Sequence, residues 1–378
     1  MLSYRNLSRI DFRLIPIILG LMIISLLIVS SFSVDTLPEG NEDKFFTPIV
    51  RSQVQWCLMG WGVFFFFAAF DYNKLREWTW LLYGLMLVAL FGLFFVEAIQ
   101  KVHRWYKIPL LGISFQPSEH AKLIVVITLS WFLERKAAET YSWRTILKAA
   151  AISGIPFFLI LKQPDLGTAF MLFPITLVMF YFGDLRKSVI KVLSFLGAGL
   201  LVLIALIFLN IVPHETLRPY ATKVLKEYQF DRLDPNTHHQ KAAVTAIAIG
   251  GLTGTGWRKG EFTHGGWLPA PYTDSVFPAF GEEFGFMGLL TMLGLFYALL
   301  HLSFHVSSIT KDPFGRLLAA GISVYLTMHI LMNIGMMSGL LPITGVPLVL
   351  VTYGGSSILS TMTALGILQS IYSRRFMF

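Results

Sequence analysis

The chain has 378 residues, of which 55% are hydrophobic and only 14% are charged. Because soluble domains carry about 25% charged residues, this composition excludes an ordinary soluble domain and predicts a protein that lies mostly in lipid. The net charge is +8, and in a membrane protein such an excess usually lies in cytoplasmic loops rather than in a patch that binds nucleic acid. The only cysteine, Cys57, lies in an apolar run, so the sequence predicts no disulfide framework.

The first apolar run, from Leu14 to Phe32, follows three arginines and looks at first like a signal peptide. It has 19 residues, whereas the apolar core of a signal peptide has about 7–15, and no clear cleavage site follows it. We therefore predict that this run is an uncleaved first transmembrane span.

Similar apolar runs recur along the whole chain. A helix that crosses a bilayer needs about 20 mainly apolar residues, and by that measure we predict an all-α polytopic membrane protein with about ten transmembrane helices. A single domain is expected to cover residues 1–378. The predicted spans are 14–33, 51–70, 79–97, 118–134, 146–161, 166–183, 189–212, 280–304, 316–338 and 347–371.

The Lys and Arg residues predict how the chain is oriented. With the N-terminus inside, the inner segments hold more of these residues than the short outer loops do, which favours cytoplasmic positions for both termini. One long loop, about 213–278, then lies outside the membrane between the seventh and eighth spans. It mixes apolar, polar and glycine-rich stretches, so we expect a structured extracytoplasmic cap rather than a disordered linker. The glycine-rich run in it lacks the residues of a phosphate-binding loop.

The end of this loop carries an aspartate, Asp274, behind Pro269 and Pro271. Proline fixes φ and disfavours helix, so the carboxylate is expected to lie on a stiff, non-helical approach to the eighth span. At this point two interpretations are open, a general base and an ordinary solvated aspartate. Glu282 and Glu283 follow in the first turns of that span, where the helix dipole is expected to stabilise them.

Ionisable side chains inside predicted spans are rare and tend to be functional. Glu119 and Lys122 are three residues apart, so they share one helix face and can pair. The pair either holds helices together or lines a site, and the second interpretation gains if it faces the same cavity as Asp274. Asp165 precedes the sixth span and is predicted to cap that helix.

Four stretches follow one another in order along nearly the whole chain, and together they resemble the SEDS family (shape, elongation, division and sporulation proteins). Two marks, Gly256-Trp257-x-x-Gly260 and Thr344-Gly345-Val-Pro347, place the sequence closer to the RodA branch than to the FtsW branch. The four stretches are Arg104-Trp105 with Phe115-Gln-Pro-Ser-Glu119-His-Ala-Lys122; Gln163-Pro-Asp165-Leu-Gly-Thr168; Leu268-Pro-x-x-x-Thr273-Asp274 with Gly281-Glu-Glu283-Phe-Gly-Phe286; and Gly339-Leu-Leu-Pro342-x-x-Gly345-Val-Pro347 with Tyr353-Gly-Gly-Ser-Ser357.

The resemblance implies a peptidoglycan glycosyltransferase of cell elongation and cell shape. Such an enzyme polymerises lipid II into β-1,4 glycan strands by inverting transfer, on the outer face of the bacterial inner membrane. The implied partners are a class B penicillin-binding protein, which is a transpeptidase, and other proteins of the elongation complex. Nucleic acid is not an expected partner.

The resemblance also assigns roles to individual residues. It makes Asp274 the catalytic residue, and it places Glu119, Lys122, Arg104, Asp165 and Arg232 in a substrate-binding cavity. No set of metal ligands is recognisable in the sequence, although the charge of the pyrophosphate leaving group makes a divalent cation, Mg²⁺ or Mn²⁺, plausible there.

The sequence departs from the family pattern in two places. Ala242-Ala243 stands where a Gln-Ser pair is usual, and Ser275 stands where Phe usually follows the Thr-Asp dipeptide. Both departures change the polar lining expected around the central carboxylate. Two alternative functions remain open from the sequence, a lipid II flippase or transporter and a non-catalytic scaffold for the crosslinking partner.

Overall fold

A computed structural model describes residues 9–33, 45–96, 104–108, 113–209, 211–222 and 227–375. Within these ranges the chain is mostly helical, as predicted. The long helices are α1 (Leu14–Phe32), α2 (Pro48–Ala69), α3 (Lys74–Gly92), α4 (Pro117–Arg135), α5 (Trp143–Lys162), α6 (Leu166–Phe182), α7 (Lys187–Phe208), α10 (His238–Gly250), α12 (Val276–Ile309), α13 (Pro313–Met337) and α14 (Gly355–Ser373). The short helices are α8 (His214–Ala221), α9 (Glu227–Asp231) and α11 (Glu261–His264).

Six of the described helices are long and apolar enough to cross a membrane, namely α1, α3, α5, α7, α12 and α13. Helix α6 is also apolar but has only 17 residues. Helices α2, α4 and α14 carry more polar side chains. The protein is therefore a polytopic helical membrane protein. Each of the predicted spans overlaps one of these long helices, while the count of ten spans stays a prediction.

A small antiparallel strand pair was not predicted. Strand β1 (Tyr106–Ile108) pairs with β2 (Ile113–Phe115), with Tyr106 opposite Phe115. The Tyr106 hydroxyl donates to the Ala89 carbonyl oxygen at 2.8 Å. This bond places the pair against the end of α3 and, because β2 leads directly into α4, beside the start of α4.

The predicted tenth span, 347–371, was placed too early. Helix α14 begins only at Gly355, and residues 338–354 form a non-helical segment that we call the 338–354 loop. Its residues Leu348 to Val351 are buried. Gly345 has φ of 73°, and Pro347 lacks a backbone N–H, so neither residue favours continuation of a helix. Apolar composition alone suggested a span because the loop is folded into the interior.

The long predicted loop is structured in its described part, where it contains α8 to α11. Helix α10 packs along α12, and His214 stacks on Phe230 with ring centroids 4.0 Å apart. Arg218 pairs with Glu215 and Glu227. The helical cap is therefore present, while its position on the outer side of the membrane stays a prediction.

Helix α12 is broken at Gly285, which has φ of 63° and ψ of −166°. The glycine-rich run fills the break with backbone hydrogen bonds. The Thr255 amide donates to the Glu282 carbonyl oxygen at 2.9 Å, and the Phe286 amide donates to the Gly251 carbonyl oxygen at 2.9 Å. A broken helix in a membrane protein needs such partners because lipid supplies none. The glycines therefore allow the backbone of this run to approach the backbone of α12 closely.

The structure gives Glu282 and Glu283 a role different from the predicted one. Helix α12 begins at Val276, so both residues lie beyond its first turn. The Glu282 carboxylate accepts hydrogen bonds from the amides of Phe262 at 2.9 Å and Thr263 at 3.0 Å. Glu283 accepts one from the Arg258 amide at 2.9 Å. Glu282 therefore binds the first amides of α11, and Glu283 binds the loop before it, so neither serves the dipole of its own helix.

Candidate functional site

A cavity of about 950 Å³ opens between α2, the starts of α4 and α14, and the 338–354 loop. Its wall contains both Asp274 and Glu119, two of the residues singled out from the sequence. Polar lining side chains include Ser52, Gln55, Gln116, Tyr353 and Ser357. The cavity is therefore large, and its wall mixes polar and apolar side chains.

The backbone around Asp274 is held on two sides. Asn333 Nδ2 donates to the carbonyl oxygens of Asp274 at 3.2 Å and Val346 at 2.8 Å. Thr352 Oγ1 donates to the Thr273 carbonyl oxygen at 3.1 Å. The approach to α12 is thus fixed against both α13 and the 338–354 loop, which agrees with the stiff, non-helical approach predicted from the prolines.

The carboxylate of Asp274 points to the cavity, where a Cβ added to Gly345 would lie 3.4 Å from its Oδ2 atom. Burial raises the pKa of Asp274 above its ordinary value, and the positive charges of Arg232 and Arg104 oppose this rise without cancelling it. Neither arginine lines the cavity, in contrast to the prediction, but both act electrostatically on the same carboxylate. A raised pKa makes Asp274 a stronger base than a solvated aspartate.

Arg104 precedes β1 in the chain, and its side chain contacts the turn between α5 and α6. Its guanidinium donates to the carbonyl oxygens of Gln163 and Pro164. The neighbouring Trp105 lines the cavity. Arg104 is thus positioned near the site and acts on Asp274 through its charge.

The predicted pair of Glu119 and Lys122 is present and deeply buried. Lys122 Nζ donates to Glu119 Oε1 at 2.8 Å, and the Lys122 side chain is 0% exposed. Glu119 lines the cavity together with Asp274, so the pair faces the candidate site. Within the described residues, Glu119 Oε2 accepts no hydrogen bond. The Glu119 side chain is only 3% exposed, so the pair lies at the edge of the cavity wall rather than in the open cavity.

Asp165 caps α6, as predicted, because its carboxylate accepts from the Thr168 amide at 3.4 Å. It also accepts from Gln116 Nε2 at 3.1 Å and from Ser118 Oγ at 3.0 Å. Gln116 lines the cavity, and Asp165 does not. Asp165 therefore stabilises the start of α4 from a position outside the cavity wall.

Two helices begin at the cavity wall. The N-cap residues of α4 and α14 are Gln116 and Gly354, both of which line the cavity, and neither provides a side-chain capping bond. The positive ends of two helix dipoles therefore meet in the cavity, and this arrangement favours an anion such as a pyrophosphate.

Two important residues of α13, His329 and Asn333, were not assigned to the site from the sequence. His329 Nε2 lies 2.8 Å from Lys122 Nζ, and Asn333 holds the Asp274 backbone as described above. They are four residues apart, so they share one helix face. Two polar side chains at that spacing in an otherwise apolar span are the signal that could have identified them.

The departures from the family pattern also have defined places. Ala242 and Ala243 are buried in the apolar core beside α12, not in the cavity wall. Ser275 is buried, and its hydroxyl lies 2.7 Å from His239 Nε2.

A metal site of protein side chains alone does not fit the donors available. The described residues contain no group of three His, Cys, Asp or Glu side chains able to hold an ion. Of the two carboxylates in the cavity wall, Glu119 is already paired with Lys122. A divalent cation would therefore need the substrate's own pyrophosphate oxygens as ligands.

Comparison with known proteins finds relatives over nearly the whole chain. A family model for the FtsW, RodA and SpoVE proteins, described as "Cell cycle protein", matches residues 12–375. The peptidoglycan glycosyltransferase MrdB of Helicobacter pylori (strain J99) is 31% identical over 325 residues, covering 85% of this chain and 81% of the relative. The peptidoglycan glycosyltransferase RodA of Treponema pallidum (strain Nichols) is 28% identical and covers 98% of this chain and 99% of its own.

A solved structure has the same fold. It is described as "Structural coordination of polymerization and crosslinking by a peptidoglycan synthase complex". One of its chains aligns with a TM-score of 0.74 at 23% identity, covering 98% of this chain and 99% of that one.

Proposed function

The chain belongs to the FtsW, RodA and SpoVE family, the SEDS family, and we propose that it polymerises lipid II into β-1,4 glycan strands. It is a peptidoglycan glycosyltransferase, and its similarity to MrdB and RodA relatives supports the RodA branch. The observation that carries the mechanism is the position of Asp274, a partly buried carboxylate of raised pKa in the wall of a cavity of about 950 Å³.

In this mechanism Asp274 is the general base. It takes the proton from the 4-hydroxyl of the acceptor GlcNAc while that oxygen attacks the anomeric carbon of the lipid-linked donor. The bond to undecaprenyl pyrophosphate breaks in the same displacement, so an α-linked donor gives a β-linked product. A general base contributes about 10²–10⁴-fold in rate. Pyrophosphate is already a good leaving group, so the two-carboxylate scheme of glycosidases is not needed.

The positive charges near Asp274 suit the leaving group. Arg104 and Arg232 act electrostatically on the same carboxylate, and the starts of α4 and α14 face the cavity. Negative charge builds on the pyrophosphate as the bond breaks, and fixed positive charges stabilise it without reorganisation. We assign these groups to pyrophosphate binding, and Lys122 to keeping Glu119 in place at the wall.

A Mg²⁺ or Mn²⁺ ion bound through the pyrophosphate would add positive charge at the leaving group. Because the described residues provide no ligand set of their own, none of the steps above depends on it.

The test is polymerisation of lipid II by the purified protein in detergent. Wild-type protein is expected to make glycan polymer, and Asp274→Ala and Asp274→Asn are expected to make at least about 10²-fold less at equal protein concentration. Asp184→Asn, at an exposed carboxylate outside the cavity wall, is the matched control. Normal polymerisation by purified Asp274→Ala would exclude Asp274 as the base. Polymer made by the wild-type protein would decide against the flippase alternative, because no flipping can be measured in detergent. Absence of polymer from the wild-type protein would contradict the proposed function.

We also propose the cellular setting. The protein lies in the bacterial inner membrane with both termini in the cytoplasm, and it works with a class B penicillin-binding protein and other proteins of the elongation complex. The excess of Lys and Arg in alternate loops supports the orientation. The structural neighbour described as a complex of polymerization and crosslinking supports the transpeptidase partner. Co-purification with that transpeptidase, and labelling of single cysteines at each terminus from one side only, test the two parts separately.

A further inference from the structure

A further polar contact reaches the catalytic segment from α10, and the mechanism above does not use it. His239 Nε2 lies 2.7 Å from Ser275 Oγ. Ser275 directly follows Asp274 in the chain and is 0% exposed. We infer that His239 is a positioning residue, which holds Asp274 in its reactive place by fixing Ser275. This inference rests on the proposed function, in which Asp274 is the base.

The place of Ser275 in α12 makes the contact informative. Ser275 is the N-cap residue, and a serine there normally accepts a hydrogen bond from a backbone amide of the first turn. Ser275 makes no such capping bond. Its hydroxyl is bonded to the ring of His239 instead. The contact therefore replaces the usual cap and joins the first turn of α12 to α10.

Helix α10 is firm enough to act as an anchor. Its N-cap Thr237 accepts a hydrogen bond from the Gln240 amide at 3.4 Å. The Gln240 side chain is buried and donates to the Leu341 carbonyl oxygen at 3.0 Å. The same helix packs along α12, and its Gly250 lies against the backbone of Gly281. His239 is thus carried by a helix that is fixed both to α12 and to the 338–354 loop.

With this contact, the segment around Asp274 is held from three directions. Asn333 holds the Asp274 carbonyl from α13, and Thr352 holds the Thr273 carbonyl from the 338–354 loop. His239 provides the third restraint, on the residue after Asp274, from α10. Removing it takes away the restraint on the side chain that directly follows Asp274.

The charge of the histidine also suits this role. Burial and the neighbouring His238 both lower the pKa of His239, so its ring is neutral at neutral pH. A neutral ring can form a hydrogen bond with the serine hydroxyl without placing another full charge beside Asp274. The contact also gives Ser275, one of the departures from the family pattern, a partner within this chain.

The experiment measures kcat and KM for lipid II polymerisation by the purified full-length protein in detergent. His239→Leu and Ser275→Ala are each expected to lower kcat by about 10-fold with little change in KM, because a small misplacement of a reacting group has effects of this order. Since both variants remove the same contact, the double variant is expected to be no slower than either single variant. His238→Leu, at an exposed position on the same helix, is the matched control and should behave like wild type.

Two further variants separate positioning from folding. The amide of Gln reaches the position of the imidazole Nε2 atom and that of Asn does not, so His239→Gln should restore most of kcat and His239→Asn should not. All variants are compared with wild type for thermal unfolding in detergent. Equal unfolding temperatures for the Gln and Asn variants, with kcat lowered only in the latter, would support the inference even if the Leu variant is poorly folded.

The inference is overturned if His239→Leu and Ser275→Ala keep the wild-type kcat, if their losses multiply in the double variant, or if only KM changes. Each of these results leaves the proposed function intact, because the wild-type protein still makes polymer and Asp274→Ala still does not. A wild-type protein without polymerase activity would instead overturn the proposed function and this inference with it.

Discussion

Lys122 and His329 share a hydrogen bond of 2.8 Å in the interior of the helix bundle. An ammonium group has only donors, so the Nε2 atom of His329 accepts and the ring proton is on Nδ1. That nitrogen lies 3.3 Å from the Pro347 carbonyl oxygen. A continuous path of polar contacts thus runs from Glu119 through Lys122 and His329 to Pro347, and both ends of it line the cavity.

This path predicts a large effect of replacing Lys122 with Met, which has a similar shape and no charge. The change leaves the Glu119 carboxylate buried without its partner, and breaking a buried pair in this way costs about 3–5 kcal/mol. We expect a clear fall in the thermal unfolding temperature in detergent, together with lost polymerisation.

The double variant Glu119→Gln with Lys122→Met is the control for this prediction. It removes both charges, so it should recover much of the stability. Activity should not recover, because the cavity wall has lost one of its two carboxylates and keeps only Asp274. If the double variant, or one with the two charges exchanged, polymerised lipid II normally, then the pair would be only a structural link between helices.

The pH dependence of the reaction follows from the surroundings of Asp274. A base acts in its deprotonated form, so activity should fall as pH drops through the pKa of Asp274, which burial has raised. Arg232 lowers this pKa and therefore opposes the effect of burial. Removing its charge with Arg232→Gln should move the acidic limb of kcat against pH to higher pH. An unchanged limb would mean that a group other than Asp274 limits the rate at acidic pH.

Much of the helical framework could be predicted from the sequence because length and hydropathy are local properties. The start of α14 was missed because the apolar run before it, including Leu348 to Val351, is buried without being helical. Hydropathy reports burial, but it does not distinguish a buried loop from a helix. Gly345, with φ of 73°, and Pro347 were the local signals of the difference.

The sequence predicts those residues of the candidate site whose charge is unusual for their position in the chain. Asp274, Glu119 and Lys122 attracted attention as charges at or inside apolar spans. The structure places Asp274 and Glu119 in the wall of one cavity, with Lys122 buried and paired to Glu119. His329 and Asn333 are polar but uncharged when they act, and each has a common structural explanation. Their spacing of four residues marks one face of α13, but their roles depend on contacts with residues distant in sequence, which the sequence alone does not show.

We predict that Gly250 tolerates no side chain, because it packs directly against the backbone of α12. A Cβ there would lie 1.9 Å from the Gly281 carbonyl oxygen, and backbone cannot move aside as a flexible side chain can. Gly250→Ala should therefore separate α10 from α12, lower the unfolding temperature and reduce polymerisation. Gly154→Ala is the matched control, since a Cβ at Gly154 has no atom within 4 Å. Equal stability of the two variants would contradict the close packing at the break.

The last prediction concerns Asn333, whose amide nitrogen donates to the carbonyl oxygens of Asp274 at 3.2 Å and Val346 at 2.8 Å. Asn333→Leu preserves the volume of the side chain and removes both bonds. Each buried acceptor left without a donor costs about 1–3 kcal/mol, so the 338–354 loop should separate from the segment that carries Asp274. Since the geometry at the base controls the chemical step, kcat should fall, by up to about 10²-fold.

The matched control for Asn333 is Ser323→Ala on the same helix. Ser323 is also buried, but its hydroxyl only returns a hydrogen bond to the Ala319 carbonyl oxygen of its own helix at 2.8 Å. That carbonyl keeps its backbone partner when the hydroxyl is lost, so both stability and kcat should change little. The comparison isolates the bridge between Asp274 and Val346 from the general effect of removing a polar group from α13. If Asn333→Leu kept a normal kcat, then the hold of α13 on Asp274 would have no part in catalysis.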